Sequence, residues 1–202
     1  MTVLGIVVAA GSGDRFGRSK ATVELAGRPL WRWAADALSS GGCDDVTVVG
    51  DFPGGISGGT RRRDSVVAGL ATARDGVSHV LVHDAARPLA SVELVRRVTE
   101  RLVVGDCDAV VPALPVRDTL KSVSGEAIIR TIDRTDLVSV QTPQGFTIGA
   151  LRRGHAFDDD DATDDAVLVE RSGGVVVFVI GEDHNLKVTY PGDLAVMEAL
   201  RP

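Results

Sequence analysis

The chain is predicted to take an α/β fold, a mostly parallel sheet with helices on its faces and one inserted β-arm. Two observations carry that expectation. Short Val-rich runs alternate along the chain with segments whose apolar residues recur every three or four positions. The composition agrees: 44% of residues are apolar, only 4% are aromatic, and 23 glycines are available for the turns between strands. A chain of 202 residues fits one domain, at ~150 residues per domain.

Strands are expected at Val3–Ala9, Val46–Val49, His79–Val82, Ala109–Val111 and Val175–Ile180, each a run of β-branched and small apolar residues. Pro29 opens a helix whose inner face is Leu30, Trp33, Ala34, Ala37 and Leu38. A second helix spans Asp64–Ala73, with Val66, Val67, Leu70 and Ala71 inward. Ser91 caps a third over Val92–Val103, Thr163-Asp164-Asp165 opens one over Ala166–Arg171, and a last helix follows Pro191. Between Pro112 and Gln141 the pattern changes. The turn residues Ser124-Gly125-Glu126 separate two strand-like runs, a hairpin inserted at about 114–140 that either packs on its own domain or reaches a second subunit.

Charge and cysteine content exclude several classes. Twenty-two basic against 28 acidic residues leave a net charge of −6, so no nucleic-acid partner is expected. The first apolar run is broken at Gly5, is too short to span a bilayer and lacks a preceding basic segment; no membrane partner is expected and the cytoplasm is the expected compartment. Cys43 and Cys107 form neither a disulfide framework nor a metal spacing and read as small buried apolar residues. The acidic run Asp158–Asp161 reads as a solvated loop before a helix.

The residues that could carry chemistry stand at strand ends. Ala9-Ala10-Gly11-Ser12-Gly13-Asp14-Arg15 follows the first strand, with Lys20 just beyond. Glycines there let backbone N–H groups approach an anion, and the two cations add charge beside it. The segment is not a Walker A loop, and Phe16 replaces the third glycine of a dinucleotide fingerprint, which disfavours a NAD-binding protein. Gly58-Gly59-Thr60-Arg61-Arg62-Arg63-Asp64-Ser65 leads into the second helix; its three arginines point in different directions, at least one of them into solvent. In Val82-His83-Asp84-Ala85-Ala86-Arg87-Pro88, Asp84 stands at a strand's carboxyl end, where α/β sheets bind ligands, and is placed for a metal or a ribose, while Arg87 is placed for phosphate. Alternatively Asp84 pairs with Arg87. His83 reads as packed. The sum is a phosphate-handling inventory of Arg, Lys, Thr and Gly without a protein nucleophile.

In this order the segments AAGSGDR (9–15), GGTRRRDSV (58–66), VHDAARP (82–88), VPALPVRDTLK (111–121), QTPQGF (141–146), TDDAVLVE (163–170) and NLKVT (185–189) resemble the 2-C-methyl-D-erythritol 4-phosphate cytidylyltransferases of the non-mevalonate isoprenoid pathway, from about Val3 to Leu200. VHDAARP together with QTPQ is far more selective than the glycine loop. The resemblance implies a Rossmann-like fold of the nucleotide-diphospho-sugar transferase type, with an arm that interlocks two subunits of a homodimer. It implies in-line attack of the substrate phosphate on the α-phosphorus of CTP, giving CDP-methylerythritol and pyrophosphate. Arg15 and Lys20 match the residues that hold the triphosphate, and Arg134 and Lys187 those that position the attacking phosphate. Ala9, Ala10, Gly11, Gly13, Gly59, Thr60, Ser65 and Asp84 match the cytidine side; Arg87, Thr119, Thr142 and Thr163 match the methylerythritol phosphate pocket, with Thr119 and Arg134 supplied by the other subunit. Mg²⁺ is expected to bridge the CTP phosphates with few protein ligands. The chain departs from the family at Ser19-Lys20-Ala21, at Thr60-Arg61, and in having only eight residues between Val49 and Gly58. A ribitol 5-phosphate cytidylyltransferase and a non-catalytic nucleotide-binding protein on the same fold are the alternatives.

Overall fold

The computed structural model describes residues 1–10, 23–156 and 162–201. The first strand, β1 (Thr2–Val8), sets the frame: its side chains alternate between two cores. A minimal hairpin follows, β2 (Glu24–Leu25) with β3 (Arg28–Pro29), and leads into α1 (Leu30–Ser40). Leu30, Ala34, Ala37 and Leu38 are buried on α1 and Trp33 is half-buried, so the expected face is the one that packs.

β4 (Asp45–Val49) is an edge strand. Residues 50–61 carry no named helix or strand and fold back on β4: Ile56 N donates to the Val48 carbonyl (2.9 Å) and Phe52 stacks on Trp31 at 4.9 Å. The short crossover foreseen in the sequence is this turn. In α2 (Arg62–Leu70) the buried stripe is Ser65, Val66, Gly69 and Leu70, whereas Val67, expected inside, is 45% exposed. Gly69 explains the rotation: a Cβ there would lie 2.6 Å from Ile6 Cγ2, so the helix rests its glycine directly on β1.

β5 (Val77–Asp84) leads to α3 (Val92–Val103), whose first turn is capped as expected, Ser91 Oγ accepting from Leu94 N at 3.0 Å. After β6 (Ala109–Pro115) comes the hairpin of β7 (Leu120–Ser124) and β8 (Ala127–Ile132), whose strands, among the described residues, pair only with each other. The chain returns through β9 (Val138–Val140), which pairs with β6, and β10 (Gln144–Thr147), which the sequence shows only as the motif QTPQGF. α4 (Ile148–His155), also unforeseen, α5 (Asp165–Arg171), β11 (Val176–Ile180) and α6 (Asp193–Leu200) complete the chain.

The sheet order is β11-β6-β10-β5-β1-β4, with β9 beside β6. β4, β1 and β5 run parallel, as do β6 and β11; β10 joins the two sets antiparallel to both of its neighbours. On one face Leu4 and Ile6 pack with Val66, Leu70, Leu151 and Val169 from α2, α4 and α5. On the other, Val3 and Val7 pack with Ala34, Leu38 and Val95 from α1 and α3. A smaller cluster of Leu25, Leu30, Leu89, Val188 and Met197 clamps the segment after β11 onto the loop after β5. Cys43 and Cys107 are buried and unpaired, as expected. No helix among the described residues is long and apolar enough to cross a membrane.

Candidate active site

β1 lies between β4 and β5, and the chain leaves it for opposite neighbours in turn, so a crevice opens beyond its carboxyl end. A cavity of about 500 Å³ occupies that place, walled by Val8, Ala9, Ala10, the 59–62 turn, Ser65, Asp84–Ala86 and Lys187. Such a volume suits a small-molecule ligand. Gly59 lines the cavity, and Gly58 before it packs against two of its wall residues. A Cβ on Gly58 would lie 2.6 Å from Ser65 Oγ and 2.8 Å from Ala10 Cβ, and one on Gly59 would lie 2.2 Å from Asp64 Cβ. Only glycines let this turn lie flat across the start of α2 and the end of β1.

Asp84 is the buried carboxylate of the cavity wall. Its Oδ2 accepts from Lys187 Nζ at 2.7 Å, and its Oδ1 faces Arg62 Nε and Nη2, both at 3.3 Å. Burial works against its charge, but Arg62 and Lys187, with Arg87 further off, hold the carboxyl well below the usual range. Arg62 in turn gives Nη1 to Asp165 Oδ2 at 2.5 Å. Desolvation opposes the Arg62 charge too, and Asp165 and Asp84 outweigh it.

Behind Asp84 lies a neutral relay. The Asp84 N–H donates to Thr142 Oγ1 (3.1 Å), Thr142 Oγ1 meets His83 Nδ1 (2.8 Å), and His83 Nε2 meets the Arg87 carbonyl (3.1 Å). A carbonyl can only accept, so Nε2 carries the proton and Nδ1 accepts the threonine proton. Burial then pushes the imidazole down to about 4. His83 is packed, as the sequence predicts.

Seven of the sequence candidates therefore meet at one cavity: Ala9, Ala10, Gly59, Thr60, Ser65, Asp84 and Lys187. Arg15, Lys20, Gly11 and Gly13 lie outside the described residues, as does the acidic run Asp158–Asp161. Thr142 is buried outside the cavity lining, its hydroxyl engaged by the Asp84 N–H and His83. Arg87 does not pair with Asp84; its Nη1 donates to the Asn185 carbonyl (2.7 Å) and its Nη2 to the Val140 carbonyl (3.4 Å), which ties the NLKVT segment to the loop after β5. Thr163 is exposed just before Asp164, whose Oδ1 caps α5 through Val167 N (3.0 Å). Thr119 and Arg134 flank the hairpin, exposed and away from the cavity, with Arg134 Nη1 bonded to the Val116 carbonyl.

Arg62 and Asp165 were missed. The three arginines diverge as expected: Arg61 stays exposed and holds Asp64, Arg62 turns inward to Asp84 and Asp165, and Arg63 Nη2 donates to the His155 carbonyl (3.1 Å). The signal was available: position 62 precedes the buried Ser65, Val66 and Gly69 by three, four and seven residues, which places Arg62 on the inward stripe of α2.

The model of the family described as IspD, 2-C-methyl-D-erythritol 4-phosphate cytidylyltransferase, matches residues 3–201. The chain belongs to that family. A curated member from Rhodococcus jostii is 46% identical over 215 residues, spanning 98% of this chain and 94% of its own length. A member from Prochlorococcus marinus is 40% identical, covering 96% of each. The solved cytidylyltransferase from Thermus thermophilus superposes with a TM-score of 0.81 at 36% identity over 96% of both chains. Family members also occur as one part of a larger enzyme: the chain matches 54% of the bifunctional IspDF from Campylobacter jejuni, at 28% identity and a TM-score of 0.82. The α/β fold and the family expected from the sequence are thereby established, and the ribitol phosphate alternative has no support among these matches.

Proposed function

We infer that the chain is a nucleotidyltransferase that joins CTP and 2-C-methyl-D-erythritol 4-phosphate into CDP-methylerythritol, with release of pyrophosphate. The observation that carries this is the conjunction of family membership with a cavity at the switch point of the sheet, lined by Gly59 and walled by the Asp84–Lys187 pair. The cytidine lies against Ala9, Ala10, Gly59, Thr60 and Ser65, where small side chains and backbone groups favour a pyrimidine over a bulkier purine.

The attacking phosphate displaces pyrophosphate at the α-phosphorus in line, without a covalent enzyme intermediate, so the protein's task is positioning and charge neutralisation. Arg15 and Lys20 neutralise the triphosphate. Lys187, at present bonded to Asp84, turns to the attacking phosphate. Arg134, with Thr119, comes from the arm of a second copy, and Arg87, Thr142 and Thr163 support the polyol side. Among the described residues no three acidic, His or Cys side chains cluster as a metal site, and Asp84 is the one carboxylate on the cavity wall. That donor set suits Mg²⁺ held mainly by phosphate oxygens, which supplies charge neutralisation when bound. The active form is a cytoplasmic homodimer.

The test is direct. Purified protein with Mg²⁺, CTP and methylerythritol phosphate releases pyrophosphate, while ribitol 5-phosphate in its place gives none. Release with ribitol phosphate alone transfers the assignment to the sister activity; silence with both substrates points to a non-catalytic nucleotide-binding protein.

A further inference from the structure

We propose that Asp165 is a positioning residue for the nucleotide site: it fixes Arg62 from behind, making Arg62 the permanent counter-ion of Asp84 and leaving Lys187 free to move. The proposal rests on the assignment of the cavity to CTP.

The distances within the charge chain are unequal. Arg62 Nη1 lies 2.5 Å from Asp165 Oδ2, whereas both of its contacts with Asp84 Oδ1 are 3.3 Å. The guanidinium is seated on Asp165 and merely reaches Asp84. Asp165 is itself held twice. It is the first residue of α5 and 1% exposed, and its second oxygen faces His155 Nε2 at 3.0 Å, from the end of α4. The two helices meet closely, Gly154 packing against the Leu168 backbone. The position of Arg62 is thus set by the α4–α5 pair.

Lys187 is built differently. Its side chain is 46% exposed, and its ammonium donates to Asp84 Oδ2 from outside the fold. When a phosphate draws Lys187 away, Asp84 is left buried beside one cation. A buried carboxylate stripped of its partners is strongly unfavourable, so the exchange needs a second cation that cannot follow the substrate. Asp165 guarantees it by holding Arg62 on an oxygen the ligand does not reach.

The experiment is a double-mutant cycle on CTP affinity, measured by calorimetry, alongside turnover. Asp165→Asn is expected to weaken CTP binding on the order of tenfold, the loss of one charge-assisted hydrogen bond. Arg62→Met weakens it at least as much, and Asp165→Asn added to Arg62→Met changes nothing further, because its only route to the nucleotide is gone. Full additivity in the double variant, or an unchanged affinity in Asp165→Asn, overturns the proposal. If Asp165→Asn does not fold, His155→Leu, which leaves Asp165 charged and removes one of its two holds, is put through the same cycle with the same expectation. A wild-type chain that binds CTP but releases no pyrophosphate with either polyol phosphate defeats the reaction assignment while the affinity cycle still decides Asp165. A wild-type chain that binds no CTP defeats both.

Discussion

Lys187 and Arg62 hold opposite oxygens of Asp84, the lysine at 2.7 Å on Oδ2 and the arginine at 3.3 Å on Oδ1. Removing the lysine therefore leaves the carboxylate paired. Lys187→Met is expected to fold normally and to bind CTP with little change. Its KM for methylerythritol phosphate rises, and kcat/KM falls roughly 10²-fold, the scale of one lost charge contact to a reacting group. Steady-state kinetics varied in each substrate separately check this; a loss confined to the KM for CTP would place Lys187 on the wrong substrate.

In the proposed reaction Arg15 and Lys20 neutralise the triphosphate as pyrophosphate leaves. Arg15→Ala and Lys20→Ala are each expected to lower kcat roughly 10²–10³-fold while the unfolding temperature stays at the wild-type value. Full turnover in either variant removes that residue from the mechanism.

The buried neutral His83 makes a pH prediction. Its folded value lies at about 4 against an ordinary 6.5, so between those limits the unfolded chain binds a proton that the native chain refuses. Stability is then full above pH 6.5 and declines as pH falls toward 4, by roughly 3 kcal/mol for this one group. Asp84 and Asp165, both held below the ordinary carboxylate range, add their own loss only under more acidic conditions, below the ordinary aspartate value of 3.8. Urea unfolding across this range checks it. His83→Gln should start less stable at pH 7.5 and show a shallower decline between 6.5 and 4; an unchanged slope would mean that His83 is not the group that titrates.

Local patterning made most of the fold legible. Val runs of strand length located five of the parallel-sheet strands within a few residues, and Ser91 and Asp164 marked helix starts because a cap is a local device. β10 was hidden for a physical reason. Only Gln144, Gly145 and Phe146 are buried in it, too few to show a period, and Gly145 serves the neighbouring helix: a Cβ there would lie 2.8 Å from Val98 Cγ1. At the site, backbone-shaped features such as Gly58-Gly59 were readable in sequence. Partnerships were not. Asp84 pairs with Arg62 and Lys187 across 22 and 103 positions, while the sequence suggested its near neighbour Arg87, whose guanidinium is committed to carbonyls.

The β7–β8 hairpin leaves apolar side chains on both sides: Val123, Ile128 and Ile129 are each about 60% exposed. A lone two-stranded ribbon with no covered face is marginal in water, which supports a second copy as its cover. Ile128→Asp is expected to shift the chain toward monomer in sedimentation velocity and to lower activity in parallel. Mixing Arg134→Ala with Lys20→Ala then tests exchange of residues between copies. If Arg134 acts across the dimer, reassorted heterodimers regain about a quarter of wild-type sites, since half the dimers carry one intact site. If it acts within its own chain, mixing restores nothing.

Gly154 decides how closely α4 approaches α5, and with it where His155 and Asp165 meet. A Cβ there would lie 2.9 Å from the Leu168 carbonyl carbon and 3.0 Å from its oxygen, atoms of a helix backbone that cannot step aside as a side chain could. Alanine favours a helix over glycine by about 1 kcal/mol, but separating two packed helices costs about 1–3 kcal/mol, so the steric effect wins and Gly154→Ala is destabilising. Gly149 on the same helix is the control: its Cβ would meet only the end of the Arg153 side chain at 3.5 Å, so Gly149→Ala should gain up to about 1 kcal/mol. Denaturant midpoints give both signs. The site is read by CTP affinity, which Gly154→Ala weakens by withdrawing His155 from Asp165, and which Gly149→Ala leaves at the wild-type value. Equal affinities in the two variants would show that the helix pair does not set the nucleotide pocket.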